Sequence, residues 1–248
     1  MIGFNGGLIG KDRNFGITQA LPGTWTMPEQ VKARRNVTWP TVGIQIVTDG
    51  LVQYLDAGNV SSYPGSGTTW TDLSGNAYNA TLVNSPSYSS ANGGVISFDG
   101  TDDHATSSLP AITNYTIGAW VKWLSTQAGE RQLLNTFNDQ LGISINSSKF
   151  FVYNGNVNTG TQTVLTNTWY YWVVTGTSGS TKIIINNSTD GTFTTYRAIS
   201  SGATMIGNVS GQTRYLNAEI GAFAVYNKVL SATELTQNYN ADKTRFGL

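Results

Sequence analysis

The sequence predicts an all-β protein in which two antiparallel sheets pack face to face, with a short C-terminal helix and an extended N-terminal arm. Two observations predict the sheets: short apolar or alternating runs recur from about residue 41 onward, and turns rich in Gly, Asn, Asp and Ser separate them. A third observation sets the arm apart, because residues 1–40 hold too few apolar residues to form a core alone. We therefore expect an arm over 1–40 and one sandwich domain over 41–248.

The arm is basic and rich in turn residues. It holds five basic and two acidic residues, a net charge of +3 that the rest of the chain balances to zero. Such an arm suits an acidic partner surface, and Trp25, Arg34, Arg35 and Trp39 are the expected anchors because Trp and Arg dominate protein interfaces. Its charges are too sparse to predict nucleic-acid binding.

Two strands of the sandwich are clear from their apolar patterns. Tyr115–Trp123 alternates, so that its odd-numbered residues share one face, which we assign to the core. Trp169–Val174 is apolar on both faces, which is typical of a central strand covered on both sides. A hairpin is expected over 186–191, with Asp190-Gly191 supplying the turn.

One helix follows the last predicted strand. Ser231 and Glu234 have the spacing of a capping box, in which the serine caps the helix and the glutamate reaches back to it. Leu235 and Tyr239 lie one turn apart, so they can dock the helix on the sandwich.

Composition excludes several kinds of site. The chain has no cysteine, which excludes disulfides, thiolate metal sites and a cysteine nucleophile. His104 is the only histidine, so a usual zinc site is excluded as well. No secretory leader and no stretch of membrane-spanning length are recognisable, and we therefore expect a protein made in a host cytoplasm without a membrane partner.

A family resemblance is carried by four runs: Gly50-Leu-Val-Gln-Tyr-Leu-Asp56, Trp70-Thr-Asp-Leu-Ser-Gly-Asn76, Ile96-Ser-Phe-Asp-Gly-Thr-Asp-Asp103 and Tyr115-Thr-Ile-Gly-Ala-Trp-Val121. Together with segments at 169–172, 183–187 and 206–234, they resemble the laminin-G-like, concanavalin-A-like jelly-roll family in order and spacing over about 50–241. The resemblance implies a two-sheet jelly roll with a lectin-like function, in a family whose domains often hold calcium.

A second resemblance suggests where such a domain works. Segments of the arm, such as Leu21-Pro-Gly-Thr-Trp25 and Trp39-Pro40, and the ending 239–248 resemble tailed-bacteriophage structural proteins. This implies a non-catalytic virion surface protein, a capsid decoration or a tail-associated module, whose arm binds virion proteins. The alternative is a glycan-binding adhesin that attaches to the host surface, and the sequence leaves a homo-oligomer open.

A glucanase-like hydrolase is the third hypothesis, because the same fold class hosts such enzymes. Glycoside hydrolysis needs two flanking carboxyl groups, which such glucanases place on one strand as Glu-x-Asp-x-x-Glu. The glutamates here have no carboxylate two residues away. We therefore expect no enzyme and no catalytic residue.

Acidic and aromatic residues supply the remaining binding candidates. Asp99, Asp102 and Asp103 offer oxygen ligands for calcium, although Asp99-Gly100 also favours a plain tight turn, which is the preferred interpretation. No other cofactor is expected. Trp120, Trp172 and Trp70 are the candidates for stacking on a sugar, with core packing as the alternative.

Overall fold

The computed structural model describes residues 45–125, 129–136, 141–146 and 148–248. The predicted arm and its anchors Trp25, Arg34, Arg35 and Trp39 lie outside these ranges. The described residues form sixteen strands and one α-helix, α1, over Ala232–Asp242. The strands are β1 (Leu51–Asp56), β2 (Thr69–Trp70), β3 (Ala80–Val83), β4 (Ser87–Ser89), β5 (Val95–Asp99), β6 (His104–Leu109), β7 (Tyr115–Trp123), β8 (Glu130–Asn135), β9 (Gly142–Asn146), β10 (Lys149–Tyr153), β11 (Val157–Thr163), β12 (Trp169–Thr177), β13 (Ser180–Ile185), β14 (Ser188–Phe193), β15 (Gly202–Ile206) and β16 (Asn217–Tyr226).

The strands form two antiparallel sheets, which confirms the predicted jelly-roll sandwich. Sheet A has the order β14-β13-β12-β7-β16-β5-β4, and β1 also pairs with β16. Sheet B has the order β11-β10-β9-β8-β15-β6-β3-β2. Strand β16 pairs with β7 along one edge, with a register shift between Ile220 and Ala222. Along the other edge its first half pairs with β5 and its second half with β1.

The main core fills the space between the sheets, as the alternation of β7 predicts. Tyr115, Ile117, Val121 and Trp123 all belong to it. Strand β12 pairs with β7 along one edge and with β13 along the other. Trp172 packs in the main core and Tyr171 is buried on the outer face of sheet A, so β12 is the central strand covered on both sides that its apolar sequence predicts.

A second apolar layer covers the outer face of sheet A. Trp120 points away from the main core, where its ring lies 4.6 Å from that of Phe246 and 5.8 Å from that of Tyr239. The helix that carries Tyr239 begins at the predicted capping box, since Ser231 accepts from the backbone of Glu234, which reaches back to the N-cap. Helix α1 and the tail that follows it therefore close this face to solvent.

Arg245 fixes the tail to sheet A. Its Nε donates to the carbonyl of Asn92 at 2.7 Å, its Nη2 to the carbonyl of Gly94 at 2.6 Å, and its Nη1 to Asp56 Oδ1 at 2.8 Å. A planar guanidinium suits three acceptors in such a fork. The contacts join the tail to the end of β1 and to the loop before β5.

One local prediction was wrong. The hairpin between β13 and β14 turns at Asn186 and Asn187, both of which have positive φ, and not at Asp190-Gly191. Two residues in the left-handed region match the twist of a two-residue hairpin, and Asn adopts that region more readily than most residues. Asp190 instead lies in β14, where its Oδ1 accepts from the backbone N–H groups of Thr161 and Gln162 in β11.

In the described ranges, no helix combines the length and apolar character that a membrane crossing requires.

Candidate functional site

A cleft of about 370 Å³ opens on the outer face of sheet B, which neither α1 nor the tail covers. The volume falls within the range of small-molecule sites. Strands β8, β10 and β11 and the loop before β16 supply its lining: Glu130, Gln132, Asn135, Phe151, Tyr153, Val157, Gln212 and Arg214. We call this the sheet B pocket.

A glycine on the neighbouring strand β9 makes room for one of the amides that line the sheet B pocket. In the pairing register, Gly142 of β9 lies between Tyr153 of β10 and Asn135 of β8. A Cβ at Gly142 would lie 2.7 Å from Nε2 of Gln132, so the amide of Gln132 already occupies that space. The missing side chain therefore makes room for the Gln132 amide, which lines the pocket together with Asn135 and Tyr153.

A β-bulge in β8 adds Asn135 to the face of the sheet that carries Glu130 and Gln132. Strict alternation would point Glu130 and Gln132 outward and Asn135 inward. The register shifts between Gln132 and Leu134, so both Leu133 and Leu134 face the main core and Asn135 turns to the pocket. The resulting Glu-x-Gln-x-x-Asn run has the spacing of Glu-x-Asp-x-x-Glu, with amides in the second and third places.

A partly exposed ion pair organises one wall of the pocket. Glu130 Oε2 lies 2.7 Å from Nη1 of Arg214, and the two side chains are 16% and 37% exposed. The hydroxyl of Ser144 donates to Glu130 Oε1 at 2.9 Å and also contacts Oε1 of Gln132. The backbone of residue 214 is held in place as well, because its carbonyl accepts from Gln132 N and its N–H donates to Asn208 Oδ1, both at 3.1 Å.

The opposite wall is aromatic and apolar. Tyr153 is 37% exposed and Val157, its cross-strand partner, is 68% exposed, whereas Phe151 is buried beside them. An exposed aromatic ring next to directional polar groups is the combination that lets a site hold a molecule with both apolar and hydroxyl surfaces.

The three predicted sugar-stacking tryptophans are not in this pocket, and the prediction was wrong. Trp120 is 2% exposed beneath α1 and the tail, while Trp172 and Trp70 are buried in the main core. None of the three offers a ring face to a ligand, because each face contacts protein.

Sequence reasoning missed the residues that do line the pocket. Tyr153 ends a run, Lys149-Phe-Phe-Val-Tyr153, that is aromatic on both faces, and such a run signals an aromatic side chain on the outer face of a sheet. The Glu-x-Gln-x-x-Asn spacing was the second available signal. Arg214 lies in a loop, and the sequence around it gave no signal of a binding role.

The acidic cluster does not line the sheet B pocket, and the structure brings its three carboxylates within 4.8 Å of one another. Asp99 Oδ1 accepts from the backbone N–H of Thr101 at 2.7 Å, which lowers the pKa of Asp99, and burial raises the pKa of Asp103. These bonds are those of a tight turn. Calcium binding by Asp99, Asp102 and Asp103 stays a prediction.

A cleft of about 490 Å³ lies beside the acidic cluster. Its lining is mostly Asn, Ser and Asp, and its one aromatic residue, Phe98, is fully buried. His104 contacts the carbonyl of Asp102 at 2.9 Å through Nδ1 and lies beside Tyr215, with ring centroids 6.2 Å apart. The sheet B pocket is therefore the stronger candidate, because it alone of these two clefts presents an exposed aromatic ring.

The two sheets define a β-sandwich of the jelly-roll type, and comparison with known proteins gives its family. The model of the concanavalin A-like lectin/glucanases superfamily matches residues 98–236, more than half of the chain. The chain therefore belongs to this family. No curated protein matches it.

Solved structures share the fold at low sequence identity. A sialidase from Trypanosoma rangeli, in complex with sialic acid, has 16% identity and a TM-score of 0.63 over 80% of this chain and 34% of its own. The binding domain of Paraclostridial Mosquitocidal Protein 1 has 15% identity and a TM-score of 0.64 over 78% and 52%. The receptor binding domain of botulinum neurotoxin type G has 16% identity and a TM-score of 0.60 over 77% and 51%. The chain thus spans between a third and about half of the length of these structures.

Proposed function

We propose that this chain is a non-catalytic carbohydrate-binding module that holds a glycan in the sheet B pocket. The observation that carries the proposal is the exposed ring of Tyr153 beside Gln132, Asn135 and Arg214, all placed on or against rigid strands. A sugar offers one apolar C–H face and many hydroxyl groups, so it needs a ring to stack on and groups that donate and accept hydrogen bonds. Strands hold such groups more rigidly than loops do, which lowers the entropy lost on binding.

The residues of the same wall also support the proposal that the module is not catalytic. Among the described residues that line the pocket, Glu130 is the single carboxylate, and Gln132 and Asn135 stand where a hydrolase of this spacing needs acids. An amide neither supplies nor takes up a proton, so the pocket lacks the acid and base pair that glycoside hydrolysis requires.

The experiment is a glycan array followed by calorimetric titration of the best-bound oligosaccharide. Tyr153→Ala should weaken binding at least tenfold. Tyr88→Ala is the matched control, because Tyr88 is also 37% exposed but lies on the edge strand of sheet A. Equal binding by Tyr153→Ala and the unaltered protein would contradict the proposal. Release of reducing sugar from a bound glycan would contradict its non-catalytic part.

We further propose that the module is displayed on a bacteriophage particle, from the resemblance of its first and last segments to tailed-phage structural proteins. Residues 1–40 would then bind capsid or tail proteins. Deleting 1–40 should release the protein from purified particles while its circular dichroism and melting stay those of a folded sandwich. Retained incorporation of the shortened protein would contradict the arm as the anchor.

A further inference from the structure

We infer that Glu130 makes the sheet B pocket selective for uncharged glycans, an inference that rests on the proposed function. Arg214 is the one cationic side chain among the described residues that line the pocket, and its side chain is 37% exposed, so a ligand can reach it. A guanidinium in such a position would ordinarily attract a sugar carboxylate or sulfate. Glu130 counters that attraction, because its carboxylate lies 2.7 Å from Nη1 of Arg214.

The pair leaves the wall with no net charge but with directional hydrogen bonding. An anionic sugar that approaches Arg214 also approaches Glu130, and the repulsion offsets what the cation contributes. A sugar hydroxyl suffers no such repulsion, and it can donate to the carboxylate or accept from the guanidinium. Gln132 also lines the pocket and adds a neutral amide that both donates and accepts.

The local structure keeps Glu130 in this role. Ser144 donates to its second carboxylate oxygen at 2.9 Å, so both oxygens are engaged. The backbone of residue 214 bonds to Gln132 of β8 and to Asn208, which fixes the distance between the strand and the arginine. Selectivity against charged glycans therefore depends on the strands and backbone contacts that hold the pocket rigid.

The test uses an array that presents neutral hexose oligosaccharides beside uronate-containing, sialylated and sulfated counterparts with the same backbone. The unaltered protein should bind neutral members at least tenfold more tightly than their charged counterparts. Glu130→Gln should bind the charged members at least tenfold better than the unaltered protein does. That gain should shrink as salt rises, since a partly exposed cation is screened.

Two further variants separate a local effect from net charge. Asp49→Asn removes the same charge at a site that is 82% exposed and paired with Lys228, so it should leave the glycan preference unchanged. Glu130→Gln combined with Arg214→Gln should cancel the gain for charged glycans. Melting curves identify any variant that fails to fold. If Glu130→Gln does not fold, the preference of the unaltered protein and of Arg214→Gln for neutral over charged glycans tests the proposal instead.

The outcomes distinguish the two proposals. Equal binding of charged and neutral glycans, lost on Tyr153→Ala, would overturn the selectivity while leaving the proposed function intact. An unchanged preference in folded Glu130→Gln would also overturn the selectivity. No binding of any glycan by the unaltered protein would overturn both.

Discussion

A substitution at Gly221 tests whether the tail is a packed part of the sandwich. Gly221 lies at the register shift of β16, and a Cβ there would lie 2.3 Å from Cζ and 2.5 Å from Cε1 of Phe246. The ring of Phe246 has little room to move, because its centroid lies 4.6 Å from that of Trp120 and 4.4 Å from that of Trp169. Gly221→Ala therefore forces a collision inside the second apolar layer.

The magnitude follows from packing. Overpacking of this kind costs about 1–3 kcal/mol in the free energy of unfolding. Phe246→Ala should cost about 3–5 kcal/mol, since a buried ring is removed and a cavity is left. In the Phe246→Ala background, Gly221→Ala meets no ring, and a lower entropy of the unfolded chain should then make it neutral or stabilising by up to about 1 kcal/mol. The two substitutions should thus be non-additive by roughly 1–4 kcal/mol.

The assay is urea-induced unfolding of the unaltered protein, both single variants and the double variant, followed by tryptophan fluorescence. Equal slopes against urea are needed for the four free energies to be compared. Additivity within about 0.5 kcal/mol would refute the packing of Phe246 against Gly221, because residues in contact are expected to couple.

Three further predictions concern the covered face, pH and the pocket. Trp120→Ala should lower the free energy of unfolding by about 3–5 kcal/mol in urea titrations, while the folded fraction keeps its glycan affinity; a loss of affinity in folded protein would restore Trp120 as a binding residue. Burial raises the pKa of Asp242 to about 6, so the folded state holds a proton that the unfolded state releases near pH 4. The contribution of this group to the free energy of unfolding falls as pH rises from 4 to 6, by at most about 3 kcal/mol. Asp242→Asn should remove that fall. Parallel profiles of unfolding free energy against pH for the variant and the unaltered protein would contradict the prediction. Gly142→Ala should displace the Gln132 amide and weaken glycan binding severalfold in calorimetry without loss of fold. Unchanged affinity would mean that the position of Gln132 does not matter for binding.

The sequence predicted local features of the sandwich well. The alternation of Tyr115–Trp123 identified its core face, and Ser231 with Glu234 identified the start of α1. These succeed because strand period and helix capping depend on residues close in sequence. The domain boundary at residue 40 and the arm stay predictions, since the described residues begin at 45.

The candidate site was harder to predict because it depends on distant contacts. Alternation shows that Trp120 faces away from the main core, but it does not show that Tyr239 and Phe246 cover that face. The outward position of Asn135 depends on a bulge, which breaks the two-residue period on which strand patterns rely. The partner of Glu130 lies 84 residues further along the chain, in a loop without a motif.

The contact between Asp56 and Arg245 joins residues separated by 189 positions. Strand β16 also joins distant parts of the sequence, because β1, β5 and β7 all pair with it although they precede it in the chain. Sheet A therefore stays incomplete during synthesis until most of the domain has been made, and its early strands present unpaired edges until then. Pairings so distant in sequence are typical of slow folding, so we expect refolding in the range of milliseconds to seconds, with the helix and tail docking only after β16 is in place.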